Sequence, residues 1–420
     1  MTGAFAIETL GPCRFMSPLE GTTFTPDDAG MLVDPTLPAG QTPNAPTVEM
    51  AGARGRIFFD PAQTRAAIVS CGGLCPGLND VIRAITMVLW HRYGVTRIMG
   101  LRYGYEGLVP ACGHAPIELT PELVEDIHIN GGTILGTSRG PQDAAVMVDF
   151  LQSHDISILF AIGGDGTQRG ARDLASEIRR RGLAISVVGI PKTIDNDLLC
   201  TERTFGFETA VAMCREPISG IHMEAKAVNK GVGLVKLMGR ESGFVAAYAT
   251  LATSDVNLVF VPEVPFTVPR LLAWLEARLQ RKSHAVIVVA EGAGQNLVNA
   301  AGTDASGNRK LGDIGLFLRD AIVEHFRRIG RPALLRYIDP SYTIRSARAD
   351  PDDSVFCFRL ARYAVHAAMS GRTAMVVALM NNRFVHVSMD KAVEQRKRID
   401  PTGSVWQSVL DNTGQPADLT

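Results

Sequence analysis

From Ala66 onward, short apolar runs alternate with helix-length amphipathic stretches. A run of about five to seven apolar residues reads as a strand covered on both faces, and the stretch after it as a covering helix. Strands are predicted at 66–70, 96–101, 156–162 and 185–190, with helices at 78–93 and 168–181 and a short helix opening at Pro121. The alternation then recurs, with helices at 208–226, 242–253, 268–281 and 313–328 around strands at 233–237, 258–261 and 285–290. A last helix, 354–369, precedes strand-like runs at 374–380 and 384–388. Such alternation specifies βαβ units. The expected fold is α/β: two similar three-layer lobes with mostly parallel sheets, a cleft between them, and an amino-terminal extension. The expected boundaries are an extension over 1–60, one lobe over 61–206 plus about 346–400, a second over 207–345, and a tail over 401–420. The extension is rich in Pro, Thr and Gly and weak in periodicity, so short strands and loops packed on the main body are expected there.

The chain has 420 residues, 46% of them apolar, which is enough for two or three sizeable cores. Its 42 Lys and Arg balance 43 Asp and Glu, with no basic stripe, so nucleic acid is not an expected partner. A small anionic substrate stays compatible with this balance. Seven cysteines at irregular spacing, with no CxxC, fit reduced thiols in a cytoplasmic protein. The nine histidines form no HxxxH or Cys/His cluster, so a zinc site is not expected, and no apolar stretch reaches the length of a membrane span.

Two strand ends carry the chemistry. Gly163-Gly164-Asp165-Gly166-Thr167 follows an apolar run. Its successive amides can form an anion-binding nest. Asp165 suits Mg²⁺, which takes one or two carboxylates and completes its shell with phosphate oxygens and water. Thr167 is placed to donate to a phosphate and to cap the following helix. Pro191-Lys192-Thr193-Ile194-Asp195-Asn196-Asp197 follows the next run. If extended, it presents Asp195 and Asp197 on one side. One acid can accept the proton of an attacking hydroxyl while the other helps hold the metal, directly or through water. A third glycine turn, Gly72-Gly73-Leu74-Cys75-Pro76-Gly77, lies between a strand and a helix but matches neither the P-loop nor the dinucleotide fingerprint. Arg139, Arg240 and Arg345 stand in turn-rich loops and can supply paired donors to phosphate. Glu291, after a strand, is a candidate acceptor for a sugar hydroxyl. Together these features point to phosphoryl transfer.

In their order along the chain, the motifs resemble the phosphofructokinase family. They are GGxxPGxN at Gly72–Asn79, LGTSRG at Leu135–Gly140, GGDGT, PKTIDND, LMGRESG at Leu237–Gly243 and YIDPSYTIR at Tyr337–Arg345, and the likeness spans about residues 55–395. The long GGLCPGLNDVIR form resembles the plant-type and trypanosomatid ATP-dependent branch, together with pyrophosphate-dependent members.

The resemblance implies a nucleotide-binding lobe (61–206 plus 346–400) and a sugar-phosphate-binding lobe (207–345). It further implies nucleotide contacts at Gly72, Arg139, Gly140, Gly164, Asp165, Gly166 and Thr167, with Asp165 as magnesium ligand and Asp197 assisting. Asp195 is implied as the general base, with Arg139, Arg240 and Thr193 beside the transferring group. Thr193, Ile194, Asp195, Met238, Gly239, Arg240, Glu291, Tyr342, Thr343, Ile344 and Arg345 correspond to the fructose 6-phosphate site, with Lys230 a further cation.

Donor choice is assigned by resemblance to Gly166 and Lys192. Pyrophosphate users carry Asp where Gly166 stands, and that side chain would crowd and repel the α-phosphate of ATP. Short ATP-dependent enzymes carry Gly in place of Lys192. The implied enzyme is a glycolytic, Mg²⁺- and ATP-dependent 6-phosphofructokinase, a phosphotransferase acting on an alcohol, assembled as a dimer or tetramer. A pyrophosphate-dependent enzyme, a kinase of another class with a GGDG turn, and a non-catalytic binding subunit are the alternatives.

Overall fold

The computed structural model describes residues 5–36, 46–298, 302–303 and 310–420. Residues 1–4 and 37–45 of the extension, with Pro38 and Pro43, lie outside the described residues. The chain divides into two compact units. The first comprises Met1–Thr193, Leu198–Gly206 and Ser346–Gln395; the second comprises Ile194–Asp197, Phe207–Arg345 and Arg396–Thr420.

In the first unit a nine-stranded sheet runs in the order Gly30–Leu32, Thr47–Met50, Arg383–Ser388, Met375–Met380, Ser186–Pro191, Ile158–Gly163, Arg65–Ser70, Arg97–Leu101, Ile117–Glu118. The five strands from Met375–Met380 to Arg97–Leu101 are mutually parallel, and the flanking strands pair antiparallel. Ile158–Gly163 is buried at every position, as a central strand covered on both faces must be. Ala67, Val69, Leu159 and Ala161 share a core with Val148 and Leu151 of the helix Ala144–Ser153 and with Ala171 and Leu174 of the helix Asp165–Arg180. Their neighbours Ala66, Ile68, Ile158 and Phe160, also fully buried, point to the opposite face. The helices Leu78–Val88 and Pro351–Met369 pack on each other, and Pro351–Met369 also packs on the sheet.

The extension supplies the two outermost strands on one side, with Val385 opposite Met50. Its Glu49 is buried and accepts from Arg54 Nη2 at 2.8 Å, His386 Nδ1 at 3.0 Å and Arg372 Nε. Burial alone would raise this carboxyl, but the bond and charge of His386 and the Arg372 guanidinium hold it at about 2.

In the second unit four parallel strands run in the order Leu258–Phe260, His284–Ala290, Gly231–Leu237, Leu334–Ile338. The helix Phe207–Lys226 packs on three of these strands. Leu271 and Leu275 of the helix Val268–Arg281, with Leu318 and Ile322 of Ile314–Arg328, share a core with Val232, Leu234, Ile287 and Val289.

The expected boundary at 400/401 moves. Residues 396–420 belong to this second unit: the helix Ser404–Thr413 packs on Phe244–Thr253, Asn412 Nδ2 donates to Thr250 O at 3.2 Å, and Leu419 enters the core. Apolar burial of Trp406, Val409 and Leu419 explains why this segment is not a loose tail. Among the described residues no helix is long and apolar enough to cross a membrane.

Candidate functional site

Strand register builds the first cluster. Ser70 pairs with Ile162 and Pro191 with Gly163, so Gly72, Gly164 and Lys192 lie just past the carboxyl ends of three adjacent parallel strands. In an open α/β sheet this edge is where ligands bind. Cys71 N donates to Ile162 O at 2.9 Å and Lys192 N to Gly163 O at 3.0 Å, extending the ladders into the loops. Gly72 has φ +87, a conformation that favours glycine. Its amide donates to Ser138 O at 3.1 Å, and Thr137 Oγ1 donates to its carbonyl at 2.6 Å. The Arg139 loop thereby lies against the glycine turn, where a Cβ on Gly73 would stand 3.3 Å from Arg139 Nη2. Gly140 also has positive φ, +105.

The GGDGT run is less a turn than the opening of a helix. Gly164 is the N-cap and makes no side-chain cap bond, while Asp165, Gly166 and Thr167 form the first helical turn. Thr167 therefore does not cap the helix as expected. It is buried, and a Cβ on Gly163 would lie 2.1 Å from its Oγ1, so that glycine makes room for it. The first-turn amides and the positive helix end favour an anion here. The Asp165 carboxylate is partly exposed and meets Arg169 Nε at 3.1 Å. Among the described residues no group of three or more His, Cys, Asp or Glu could hold a metal. A single hard carboxylate beside an anion-binding helix end fits Mg²⁺ completed by phosphate oxygens and water.

A Cβ on Gly166 would meet nothing within 4 Å, so the space above it is open. Lys192 is buried, with Nζ donating to Gly73 O at 2.5 Å, and its ammonium lies 3.4 Å from where a Gly72 Cβ would stand. The Thr193 carbonyl accepts from Thr204 Oγ1 at 2.6 Å. Gln168 was not singled out from the sequence. Its buried amide donates to Gly163 O at 2.9 Å and to Ala161 O and Ile190 O at 3.3 Å, tying two strand ends together. A buried-face polar residue four positions after the N-cap was the available signal.

The second cluster forms the same way. Leu237 pairs with Ala290, so Met238–Arg240 and Glu291 leave neighbouring strand ends together. Glu291 N donates to Leu237 O at 2.8 Å and Gly292 N to Gly239 O at 2.9 Å. Gly239 has φ +122, and a Cβ on Gly292 would fall 1.8 Å from Arg240 O. Arg345, closing the short helix Ser341–Arg345, brings Nη2 to 3.5 Å from Glu291 Oε1. Tyr342 and Thr343 are exposed. Ile344 is buried at 1%, so its side chain serves the core and not a ligand, as the inward position on a helix turn requires. Ile194 and Met238 are likewise buried. Lys230 stands at the amino end of Gly231–Leu237, with Nζ bonded to Leu279 O. That places it at the opposite sheet edge from Arg240, away from this unit's other candidate residues.

The two acids do not share one side of an extended segment. The chain turns there, and Asn196 takes φ +53, a left-handed conformation that Asn tolerates. Ser242 Oγ donates to Asp195 O at 3.4 Å and Lys397 N to Asp197 O at 2.9 Å. Arg396 Nη1 is 3.7 Å from Asp197 Oδ2. The carboxyl oxygen Oδ1 of Asp195 is shielded from solvent. Burial, then the negative charges of Asp197 and Glu291, push this carboxyl up to about 7, against the opposing pull of Arg345.

A model of the family described as phosphofructokinase matches residues 65–368. The chain is 49% identical to an ATP-dependent 6-phosphofructokinase of Amycolatopsis methanolica, covering 98% of this chain and 95% of that protein. It is 46% identical to one of Trypanosoma brucei brucei, covering 87% and 76%. The fold is also that of a solved pyrophosphate-dependent phosphofructokinase from Marinobacter aquaeolei, with a TM-score of 0.69, 19% identity, and coverage of 84% of this chain and 91% of that one. The chain belongs to the phosphofructokinase family.

Proposed function

We infer that the chain is an ATP-dependent 6-phosphofructokinase, moving the γ-phosphoryl of ATP to the 1-hydroxyl of fructose 6-phosphate. The observation carrying this reading is the 49% identity with an ATP-dependent 6-phosphofructokinase over 98% of this chain, with Asp195 buried near Glu291 and Arg345 in the second unit. A carboxylate with a pKa near the working pH is an effective proton acceptor. Asp195 takes the hydroxyl proton as the new P–O bond forms and the bond from the γ-phosphorus to the β–γ bridging oxygen breaks, leaving ADP and fructose 1,6-bisphosphate. Arg240 stands beside the transferring group, Arg345 neutralises the 6-phosphate, Glu291 accepts from sugar hydroxyls, and Tyr342 lends an exposed surface to the sugar. The Gly72 turn, Arg139, Gly140 and the amides of Gly164–Thr167 cradle the ATP phosphates. Bound at Asp165, Mg²⁺ would neutralise charge on the donor phosphates. Most of the acceleration then comes from positioning and electrostatics.

Gly166 supports ATP over pyrophosphate, because no side chain occupies the space that an α-phosphate needs. The Lys192 ammonium beside Gly73 favours a second reading, pyrophosphate as donor, since it adds charge where a compact donor would sit. Asp195→Asn should lower kcat about 10²–10⁴-fold while the affinity for fructose 6-phosphate stays near wild type. Rapid-quench turnover and equilibrium sugar-phosphate binding check this; unchanged turnover removes Asp195 as the base. Assembly into dimers or tetramers is proposed on family likeness and is checked by light scattering.

A further inference from the structure

At the amino edge of the second unit's sheet, two imidazoles far apart in sequence face each other. His222 lies on the helix Phe207–Lys226 and His284 opens the strand His284–Ala290. Their Nε2 atoms are 3.2 Å apart, with rings tilted by 39°. On the far side of His222, Nδ1 is 3.0 Å from Asp255 Oδ1, and Asp255 Oδ2 accepts from Ser219 Oγ at 3.4 Å. A carboxylate accepts, so it fixes the proton on His222 Nδ1 and leaves Nε2 with a lone pair. On His284, Nδ1 lies 3.4 Å from Ser283 Oγ; with the proton on Nδ1 a second lone pair faces the first, and with the proton on Nε2 the two rings share a hydrogen bond.

A divalent cation that displaces the shared proton would bind both nitrogens at about this separation. Zn–N bonds of about 2.0–2.1 Å in a tetrahedral shell set the two nitrogens about 3.3–3.4 Å apart, close to the separation here. Asp255 completes the carboxylate–histidine–metal relay that orients ligating imidazoles.

We propose that His222 and His284 form a two-imidazole site for a divalent transition-metal ion of the Zn²⁺, Ni²⁺ and Cu²⁺ class. Imidazole suits these ions, whereas Mg²⁺ prefers oxygen. Among the described residues no third His, Cys, Asp or Glu joins the pair, so water fills the other positions. Both rings are partly exposed, which admits it. Arg278, Lys226 and Lys282 put positive charge near His284. The same lysines and arginine oppose ions held by charge alone. The site stands at the other end of the strand that leads to Glu291, outside the machinery assigned above.

The test is a Zn²⁺ titration of the full chain against a chromophoric chelator, in reductant and millimolar Mg²⁺, with His222→Gln, His284→Gln and Asp255→Asn run alongside. Wild type should take up one equivalent that both histidine variants lose or bind at least tenfold more weakly. Asp255→Asn should weaken the same equivalent about 10–100-fold. All three should retain wild-type melting and turnover with ATP within about twofold, consistent with unchanged folds. No uptake by wild type, or equal stoichiometry and affinity in wild type and both histidine variants, overturns the site.

Discussion

Asp195 holds a proton more tightly in the folded chain than its ordinary value of 3.8 allows, chiefly through burial and then through Asp197 and Glu291. Above pH 3.8 the unfolded chain ionises this group easily while the folded chain resists. Its contribution to stability is therefore fully favourable only at low pH and is lost as pH rises toward 7. Asp195→Asn removes that cost, so it should melt above wild type at pH 8 and nearly with it at pH 4, even as turnover collapses. Thermal melts at the two pH values check this; a lower melting point at pH 8 contradicts the assigned strain. The same group should give kcat/KM for the sugar phosphate an ascending limb with a midpoint near pH 7 in the free enzyme. Gly166 is the other residue on which function turns. It occupies the second position of a helix, is exposed, and has open space around it. Aspartate is favoured there by about 0.3–1 kcal/mol. Gly166→Asp should therefore fold as well as wild type while losing on the order of 10²-fold in kcat/KM for ATP, because like charges brought together cost several kcal/mol. Calorimetry separates the two effects.

At the scale of elements, strand ends decide where chemistry can occur, and close backbone contacts hold them there. The Gly239 and Gly292 loops touch so closely that Gly292→Ala drives a methyl into Arg240 O. It should weaken fructose 6-phosphate binding and lower the melting point together, whereas Arg240→Ala should mainly weaken binding; isothermal titration and melting distinguish them. The extension is bound to its unit through Glu49, whose partners Arg54, Arg372 and His386 are all buried. Removing one partner of such a buried network strands the other charges, so Glu49→Ala should cost about 3–5 kcal/mol, read by denaturant unfolding. The central strands and their acid- or glycine-ended turns were legible in the sequence, because continuous apolar runs followed by special backbone residues have few other readings. The strands Gly30–Leu32 and Thr47–Met50 were not, since segments of three or four residues carry almost no periodicity, and Thr47–Met50 joins the sheet through a strand over 300 residues away. Leu334–Ile338 was hidden for another reason: three of its five residues are only half-buried and two are exposed, so it lacks the apolar signature of its neighbours.

Across the whole molecule, each unit is assembled from separate stretches of chain, and the motif Pro191–Asp197 passes from one unit to the other after Thr193. The identities of the candidate residues were readable one motif at a time. Their partners were not: the Arg139 loop against Gly73 and Arg396 beside Asp197 arise from contacts between segments distant in sequence, and Gln168 bridges two strands. Residues 396–420 show the same limit, because burial of Leu419 in a distant core leaves no local signal. Deleting them should unfold the second unit and abolish sugar-phosphate binding. The choice of donor gathers these scales into one number. Initial rates should be measured with saturating fructose 6-phosphate, Mg²⁺, and either ATP or pyrophosphate on the same preparation. Turnover with ATP and less than about one hundredth of that rate with pyrophosphate is the expected result, an open space beside Asp165 being worth several kcal/mol of discrimination. Equal or faster turnover with pyrophosphate would contradict it.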